Sequence, residues 1–206
     1  MNINTAGLAI GFLELKGAVY GVTAVDAAAK AASVEILQAK VACPGKFVVI
    51  LAGEMAAVEA AMAAARAVVG SGLYDFCILG RIHPALYWGL YDQFPQALGG
   101  EEGAMGEDSE ALGIVETLSI AAGLAAADQA LKTAEVKLGE LRLGYALGGR
   151  TYFIIFGATS AVQAALAGAV QVASHRGALG SQSLIPRPTK KLARLYRHSQ
   201  AGLCMV

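Results

Sequence analysis

AIGFLELKGAVYGVTAVDAAAKAASVEIL, residues 9–37, is the most informative stretch of the chain because a similar stretch occurs about 100 residues later. Residues 111–139 read ALGIVETLSIAAGLAAADQALKTAEVKLG and align with it without a gap. A second block, PGKFVVILAGEMAAVEAAM at 44–62, aligns with GGRTYFIIFGATSAVQAAL at 148–166. Internal similarity of this extent predicts two tandem copies of one domain.

Each copy has the pattern of a small mixed domain. In the first copy the pattern predicts a strand at 8–15, a helix beginning near Val22, strands at 34–42 and in KFVVILAG, a helix opened by Glu54, a strand at 74–82 and a short closing helix in HPALYWGLYDQF. The order β-α-β-β-α-β, with both helices on one side of the sheet, is a ferredoxin-like arrangement of the α+β class. The other face of each sheet then needs a cover or a role.

The repeat also sets the expected domain boundaries. We place the first domain at 7–95 and the second at 111–198, followed by a tail at 199–206. The connecting stretch, 96–110, is rich in glycine and acidic residues and has no regular apolar pattern, which is typical of a flexible linker.

Composition excludes several classes of function. The 206 residues carry 16 basic and 16 acidic side chains, so the chain lacks the positive charge of a nucleic-acid or membrane-surface binder. Its start has no basic region, and no apolar run reaches the roughly 18 residues of a membrane span. Three cysteines without a CxxC spacing fit a reducing compartment, so we expect a soluble, cytosolic protein.

Catalytic motifs are missing as well. The chain contains no HExxH, no P-loop, no GxGxxG ahead of a helix and no pairing of a nucleophile with a base. Asp26 and Asp128 recur in the two copies, but their place suits a helix surface or a helix cap better than a catalytic pair. We therefore do not expect an enzyme.

Five short motifs resemble those of bacterial microcompartment shell proteins. They are GxxEL at the start, DAAAKAASVE with DQALKTAEVK, PGK, AGE, and SLIPRP near the end. Over about residues 8–196 the chain is similar to the class with two shell domains in one chain. That resemblance implies a homotrimer shaped like a hexamer, which tiles edge to edge with other shell proteins in the microcompartment shell.

The resemblance also gives the cysteine at position 43 a role. In this family the loop between the second and third strands points at a central pore, and the loops CPGK and GYALGGR resemble those of the iron-sulfur, propanediol-utilisation type. This implies one [4Fe-4S] cluster per trimer on the three-fold axis, held by Cys43 of each chain. The loop residues near the pore are then Pro44, Gly45, Lys46, Tyr145 and Ala146.

Such a cluster suggests electron transfer through the shell, with an encapsulated redox enzyme as partner. The alternative is a pore that passes metabolites or cofactors, with no cluster and with Cys43 as a bystander. We expect Lys46 to face solvent, Cys77 to lie in the core and Cys204 to be a terminal thiol.

Tile edges form the second expected site. The resemblance implies that Lys30 and Lys132 pack against adjacent tiles and that Arg187 of the PRP motif reaches into the neighbour. In the first copy RIHPAL puts His83 at the place of Arg187, which predicts a weaker or pH-dependent contact there. The residues alone fit a solvated helix face equally well.

Overall fold

A computed structural model describes residues 8–90, 109–144 and 147–192. The first repeat contains β1 (Ala9–Leu15), α1 (Ala18–Ala31), β2 (Glu35–Ala42), β3 (Lys46–Gly53), α2 (Met55–Val69), a 3₁₀ turn (Gly70–Gly72), β4 (Leu73–Leu79) and α3 (Pro84–Leu90). The second repeat contains β5 (Ala111–Thr117), α4 (Ile120–Thr133), β6 (Lys137–Leu143), β7 (Thr151–Gly157), α5 (Thr159–His175) and β8 (Leu179–Pro186).

The two sheets have the same topology. Each is four-stranded and antiparallel, in the order β2-β3-β1-β4 in the first repeat and β6-β7-β5-β8 in the second. The first strand of each repeat therefore lies inside the sheet, between the third and fourth strands. This is the predicted ferredoxin-like α+β fold, present twice, and the prediction is confirmed.

The predicted elements differ from the observed ones mainly at their ends. α1 begins at Ala18, one turn before the predicted start near Val22. Glu54 stands at the N-cap of α2 without a side-chain capping bond. β4 ends at Leu79, several residues before the predicted end of that strand. Helix starts are hard to locate here because alanine and valine continue across them without a capping side chain.

Helices α1 and α4 come unusually close to their sheets. A methyl group placed on Gly21 would lie 2.1 Å from the ring of Phe47, and one on Gly123 would lie 2.4 Å from Thr151. The two glycines are equivalent in the repeats, and so are the strand residues that they face. Glycine is needed at these positions because no other residue leaves room for the strand side chain.

Contacts divide the chain into two compact units that do not follow the repeat boundary. The first holds the described residues up to Pro84, together with 119–121 and 144–150. Its core combines β1 and β3 side chains with the inner faces of α1 and α2: Ala9, Leu13, Leu15, Ala24, Ala28, Phe47, Val49, Leu51, Val58, Ala61, Met62, Ala65 and Val69. The turn between β6 and β7 thus belongs to the first unit.

The second unit holds 85–118, 122–143 and the described residues from 151 onward. Leu112, Ile154 and Phe156 form a buried cluster in its sheet, with Ile185 and Leu192 packed against them. Helix α5 buries Val162, Ala165, Leu166, Ala169 and Ala173. No helix in the described part of the chain is long and apolar enough to cross a membrane.

Candidate functional site

Cys43 lies in the tight turn between β2 and β3. Ala42 pairs with Lys46 across the base of the turn, so Cys43, Pro44 and Gly45 form its tip. The Cys43–Pro44 peptide bond is cis, and Gly45 has a φ of 68°, a value that glycine adopts readily. Cys43 is an exposed free thiol. The sulfur of Cys43 is therefore accessible to solvent or to a partner molecule.

Lys46 does not face solvent, and the prediction that it would is wrong. Its Nζ donates a hydrogen bond to Oε1 of Glu14 at 2.6 Å, and the two side chains are 13% and 0% exposed. The same Nζ lies 3.7 Å from the centre of the Tyr74 ring. The ammonium group turns inward because the buried carboxyl group of Glu14 lies on the neighbouring strand, β1. The sequence of β2 and β3 does not reveal that this carboxyl group is near.

Glu14 is an unusual residue for the interior of a sheet. Burial raises the pKa of its carboxyl group, whereas the hydrogen bond and the charge of Lys46 act in the opposite direction and Asp75 adds to the rise. Oε2 of Glu14 is buried and has no hydrogen-bond partner among the residues that the structure describes. In the alignment of the two repeats, Glu14 corresponds to Glu116. Nothing in that alignment indicates that Glu14 contacts Lys46.

The corresponding turn of the second repeat lies beside the Cys43 turn. Tyr145 and Ala146, the predicted loop residues, are outside the described residues. Gly149 is described and buried: a methyl group placed on it would lie 2.9 Å from Nζ of Lys46 and 3.6 Å from the carbonyl oxygen of Cys43. The first compact unit therefore brings together one hairpin turn from each repeat.

The donor set fits an iron-sulfur cluster only if several chains contribute. Within one chain, the described residues contain no group of three or more His, Cys, Asp or Glu side chains able to hold a metal ion. Among the described residues, Cys43 is the one exposed thiol, and no described atom lies within 4 Å of a methyl group placed on Gly45, so that side of the turn is open. An open turn with one thiolate per chain suits a cluster shared around a symmetry axis.

Of the other two cysteines, the structure describes only Cys77, which does not join this site. Cys77 lies in β4 and is 4% exposed, as expected of a core cysteine. Cys204 is outside the described residues.

The two predicted edge lysines have different surroundings. Lys30 pairs with Asp26 at 2.7 Å, and their side chains are 74% and 63% exposed. Lys132 pairs with Asp128, and there the side chains are only 35% and 8% exposed. Asp128 is therefore a buried residue, whereas the sequence favours a helix surface or a helix cap for it.

Arg187 corresponds to Arg81 in the first repeat and not to His83. Leu112 pairs with Ile185, just as Ile10 pairs with Leu79, so both arginines stand two residues beyond equivalent strand positions. Each has a φ of 47°, and among the described residues they are the only non-glycine residues with a positive φ. Both are exposed, while His83 is half-buried. The sequence alignment missed Arg81 because the repeats differ in length ahead of the fourth strand.

Comparison with known proteins identifies both repeats. The BMC domain matches the chain twice, over 9–82 and 111–188. The bacterial microcompartment shell protein PduT of Citrobacter freundii is 36% identical over 186 residues, which cover 90% of this chain and 96% of that protein. The major carboxysome shell protein CsoS1A of Halothiobacillus neapolitanus is 35% identical over 83 residues, or 39% of this chain and 85% of its own length.

Solved structures agree with these matches. A microcompartment protein from Desulfitobacterium hafniense DCB has a TM-score of 0.79 and 36% identity, with 92% of this chain and 99% of that chain covered. The fused permuted hexameric shell protein of the RMM microcompartment shares the fold, with a TM-score of 0.60 and 21% identity over 84% of this chain and 87% of its own. The predicted resemblance is confirmed: the chain belongs to the BMC-domain family of bacterial microcompartment shell proteins.

Proposed function

We propose that the chain is a homotrimeric shell tile with a [4Fe-4S] cluster on its three-fold axis, and that this cluster carries electrons across the shell. The observation that carries the proposal is the exposed, free thiol of Cys43 at the tip of the β2–β3 turn. If a three-fold axis passes near this turn, the three chains place three thiolates around one centre. The role is structural and electron-carrying, and involves no catalytic residue of the chain.

A difference in burial between the two repeats supports association with further copies. On α1, Val19 and Val22 are 79% and 65% exposed, whereas Ala121 and Leu124, their counterparts on α4, are fully buried. Equivalent surfaces of a repeated domain are expected to be used in the same way. The outer face of α1 is therefore exposed where the equivalent face of α4 is buried. In the proposed trimer, a second copy of the chain packs against this face of α1.

The sheet faces show the opposite difference. Phe12 and Glu14 are fully buried in the first repeat, while Ile114 and Glu116, which occupy the same positions in the second, are only partly buried. Ile114, Glu116, Tyr152 and the β8 residues 181–183 line an open cavity of about 280 Å³. One repeat thus exposes its helix face and the other its sheet face, which favours a head-to-tail contact between chains and closure into a ring.

Within such a trimer the chain's own residues have defined tasks. Cys43 supplies a thiolate, and the glycine at position 45 leaves its side of the turn open. When bound, the cluster would supply a one-electron redox centre, and three protein thiolates leave one iron for water or a small ligand. An encapsulated redox enzyme and other shell proteins are the partners that this role requires.

The same turns allow a second function. Gly45 has no side chain and Cys43 has a small one, and both are exposed, so a ring of these turns leaves an opening. In this case the pore passes metabolites or cofactors, and Cys43 binds no metal. The two functions share the tile and differ only in what occupies the axis.

Iron and sulfide analysis of anaerobically purified protein tests the choice. We expect about four iron and four sulfide per trimer and a brown colour, because thiolate-to-iron charge transfer absorbs visible light. Cys43→Ser should abolish both while native mass spectrometry still shows a trimer. Cys204→Ser is the matched control and should keep the cluster. Colourless anaerobic trimers without iron or sulfide would favour the metabolite pore.

A further inference from the structure

Lys46 lies where three parts of the first compact unit meet. Its Nζ bonds Oε1 of Glu14 on β1 at 2.6 Å and lies 3.7 Å from the centre of the Tyr74 ring on β4. On the third side is the buried backbone of Gly149, in the turn between β6 and β7. Lys46 is also the residue that closes the Cys43 turn, opposite Ala42. One side chain therefore touches both hairpin turns and the sheet beneath them.

Stability alone is a poor reason for this arrangement. Glu14 is fully buried, and one of its oxygens has no hydrogen-bond partner among the described residues. The short contact with Lys46 therefore replaces only part of the hydration that the two charged groups lose on folding. Buried ion pairs of this kind are commonly no more stabilising than apolar side chains of similar size. They do, however, favour one arrangement of the groups around them.

The second repeat has similar residues at these positions, but they are less buried. Glu116 and Arg150 occupy the positions of Glu14 and Lys46 in the aligned repeats. Glu116 accepts a hydrogen bond from Oγ of Ser181 at 3.2 Å, and Arg150 is exposed. The inward-turned cation is thus found in the repeat whose turn carries the cysteine.

We propose that Lys46 is a positioning residue, which holds the Cys43 turn in place and joins it to the β6–β7 turn through Gly149. The purpose of this positioning rests on the proposed function, in which the Cys43 thiol faces the three-fold axis. The joining of the two turns does not depend on that function. It requires only that Nζ stay between Glu14, Tyr74 and Gly149.

Two neighbouring glycines provide a matched test. Gly148 and Gly149 both have positive φ values, 62° and 81°, so alanine strains the backbone at either position. A methyl group on Gly149 would lie 2.9 Å from Nζ of Lys46, whereas no atom of the described residues lies within 4 Å of one on Gly148. Gly149→Ala should displace the ammonium group, and Gly148→Ala should leave it in place.

The measurement uses a nitroxide spin label on Cys43 in the full-length protein, with Cys77 and Cys204 replaced by Ala. Electron paramagnetic resonance reports how freely the labelled turn moves. We expect Gly149→Ala and Lys46→Met each to raise the mobile fraction by roughly twofold or more, a change within the range produced by interactions between neighbouring groups. Gly148→Ala and Lys16→Met, which removes an exposed lysine after β1, should match the background protein.

Each outcome bears on the proposal. If Gly149→Ala and Gly148→Ala give the same spectrum, Lys46 does not join the turns. If Lys46→Met changes stability but not label mobility, it acts only on stability. The pair of glycine variants decides the question even if Lys46→Met fails to fold.

Dipolar broadening between labels in the trimer tests the proposed function separately. Strong broadening means that the Cys43 residues converge. A spectrum without broadening, but with the expected mobility changes, would contradict the shared cluster and leave the role of Lys46 intact.

Discussion

Glu14 shows how one buried carboxyl group determines the direction of a distant side chain. It lies on β1, opposite Val48 on β3, while its partner Lys46 begins β3. From the sequence, a lysine directly after Pro-Gly is expected to be a solvated turn residue, because such turns lie on surfaces. The contact with Glu14 depends on strand order and register. These are tertiary properties that no local pattern contains.

The pH dependence of folding is the first prediction at this scale. Because burial raises the pKa of Glu14 above the ordinary value of 4.5, the folded chain holds this proton more tightly than the unfolded chain does. Its contribution to stability is fully present below the unfolded pKa and is lost as the pH rises through the folded pKa. The free energy of unfolding of the wild type relative to Glu14→Gln should therefore fall as the pH rises above 4.5.

Urea unfolding of both proteins from about pH 4 to about pH 8 measures this difference. In a Lys46→Met background the fall should be larger, because the hydrogen bond and charge that lower the Glu14 pKa are gone. A difference that stays constant, or that grows with pH, would contradict the assignment of a raised pKa to Glu14.

At the scale of elements, the ends of β4 and β8 share an unusual backbone conformation. Both strands lead into an exposed arginine with a φ of 47°. A left-handed backbone at a residue other than glycine is strained, so its presence at the same place in both repeats points to a task that only this geometry performs. Strand pairing shows this equivalence directly. Sequence alignment of the repeats is least reliable there because the intervening segments differ in length.

Replacing the strained arginines separates strain from function. Arg81→Gly and Arg187→Gly should each stabilise the folded chain by about 1 kcal/mol, because the relief of strain exceeds the entropy that glycine loses on folding. The same variants should assemble into sheets less well if these arginines contact neighbouring tiles. Calorimetry and electron microscopy measure the two effects.

Arg81→Ala and Arg187→Ala are the matched controls, since they remove the same side chain and keep the strain. They should lose assembly without gaining stability. If the glycine variants are no more stable than the alanine variants, the positive φ carries no strain in this protein.

Helices α1 and α4 show what a repeat can and cannot predict. Their sequences align without a gap, and both pack on a sheet through a glycine, as equivalent elements should. Their outer faces nevertheless differ, since Val22 is 65% exposed and Leu124 is buried. Burial of an outer face depends on what packs beside the helix, so two nearly identical sequences reach different environments.

For the whole molecule, the sequence predicts the architecture well and the assembly only through family resemblance. Two copies of one pattern, β-α-β-β-α-β, are enough to predict two antiparallel sheets with helices. The turn between the second and third strands, in which Cys43 lies, is also predicted by the Pro-Gly pair. The contact between that turn and Gly149 is not, because it joins residues more than 100 positions apart and involves no recognisable motif.

Assembly into sheets is the prediction that belongs to the whole molecule. We expect Lys30→Ala to weaken tiling more than Lys132→Ala, because the Lys30 side chain is 74% exposed and that of Lys132 is 35% exposed, which leaves Lys30 more surface for a neighbour. The double variant should give discrete trimers.

Asp26→Asn, which removes the charge paired with Lys30 and keeps the lysine, should retain sheets. Electron microscopy and sedimentation measure the proportion of sheets. Equal sheet formation by the wild type and the double variant would remove both lysines from the tile edge. The proposal for the Cys43 turn would still stand, because it does not rest on either lysine.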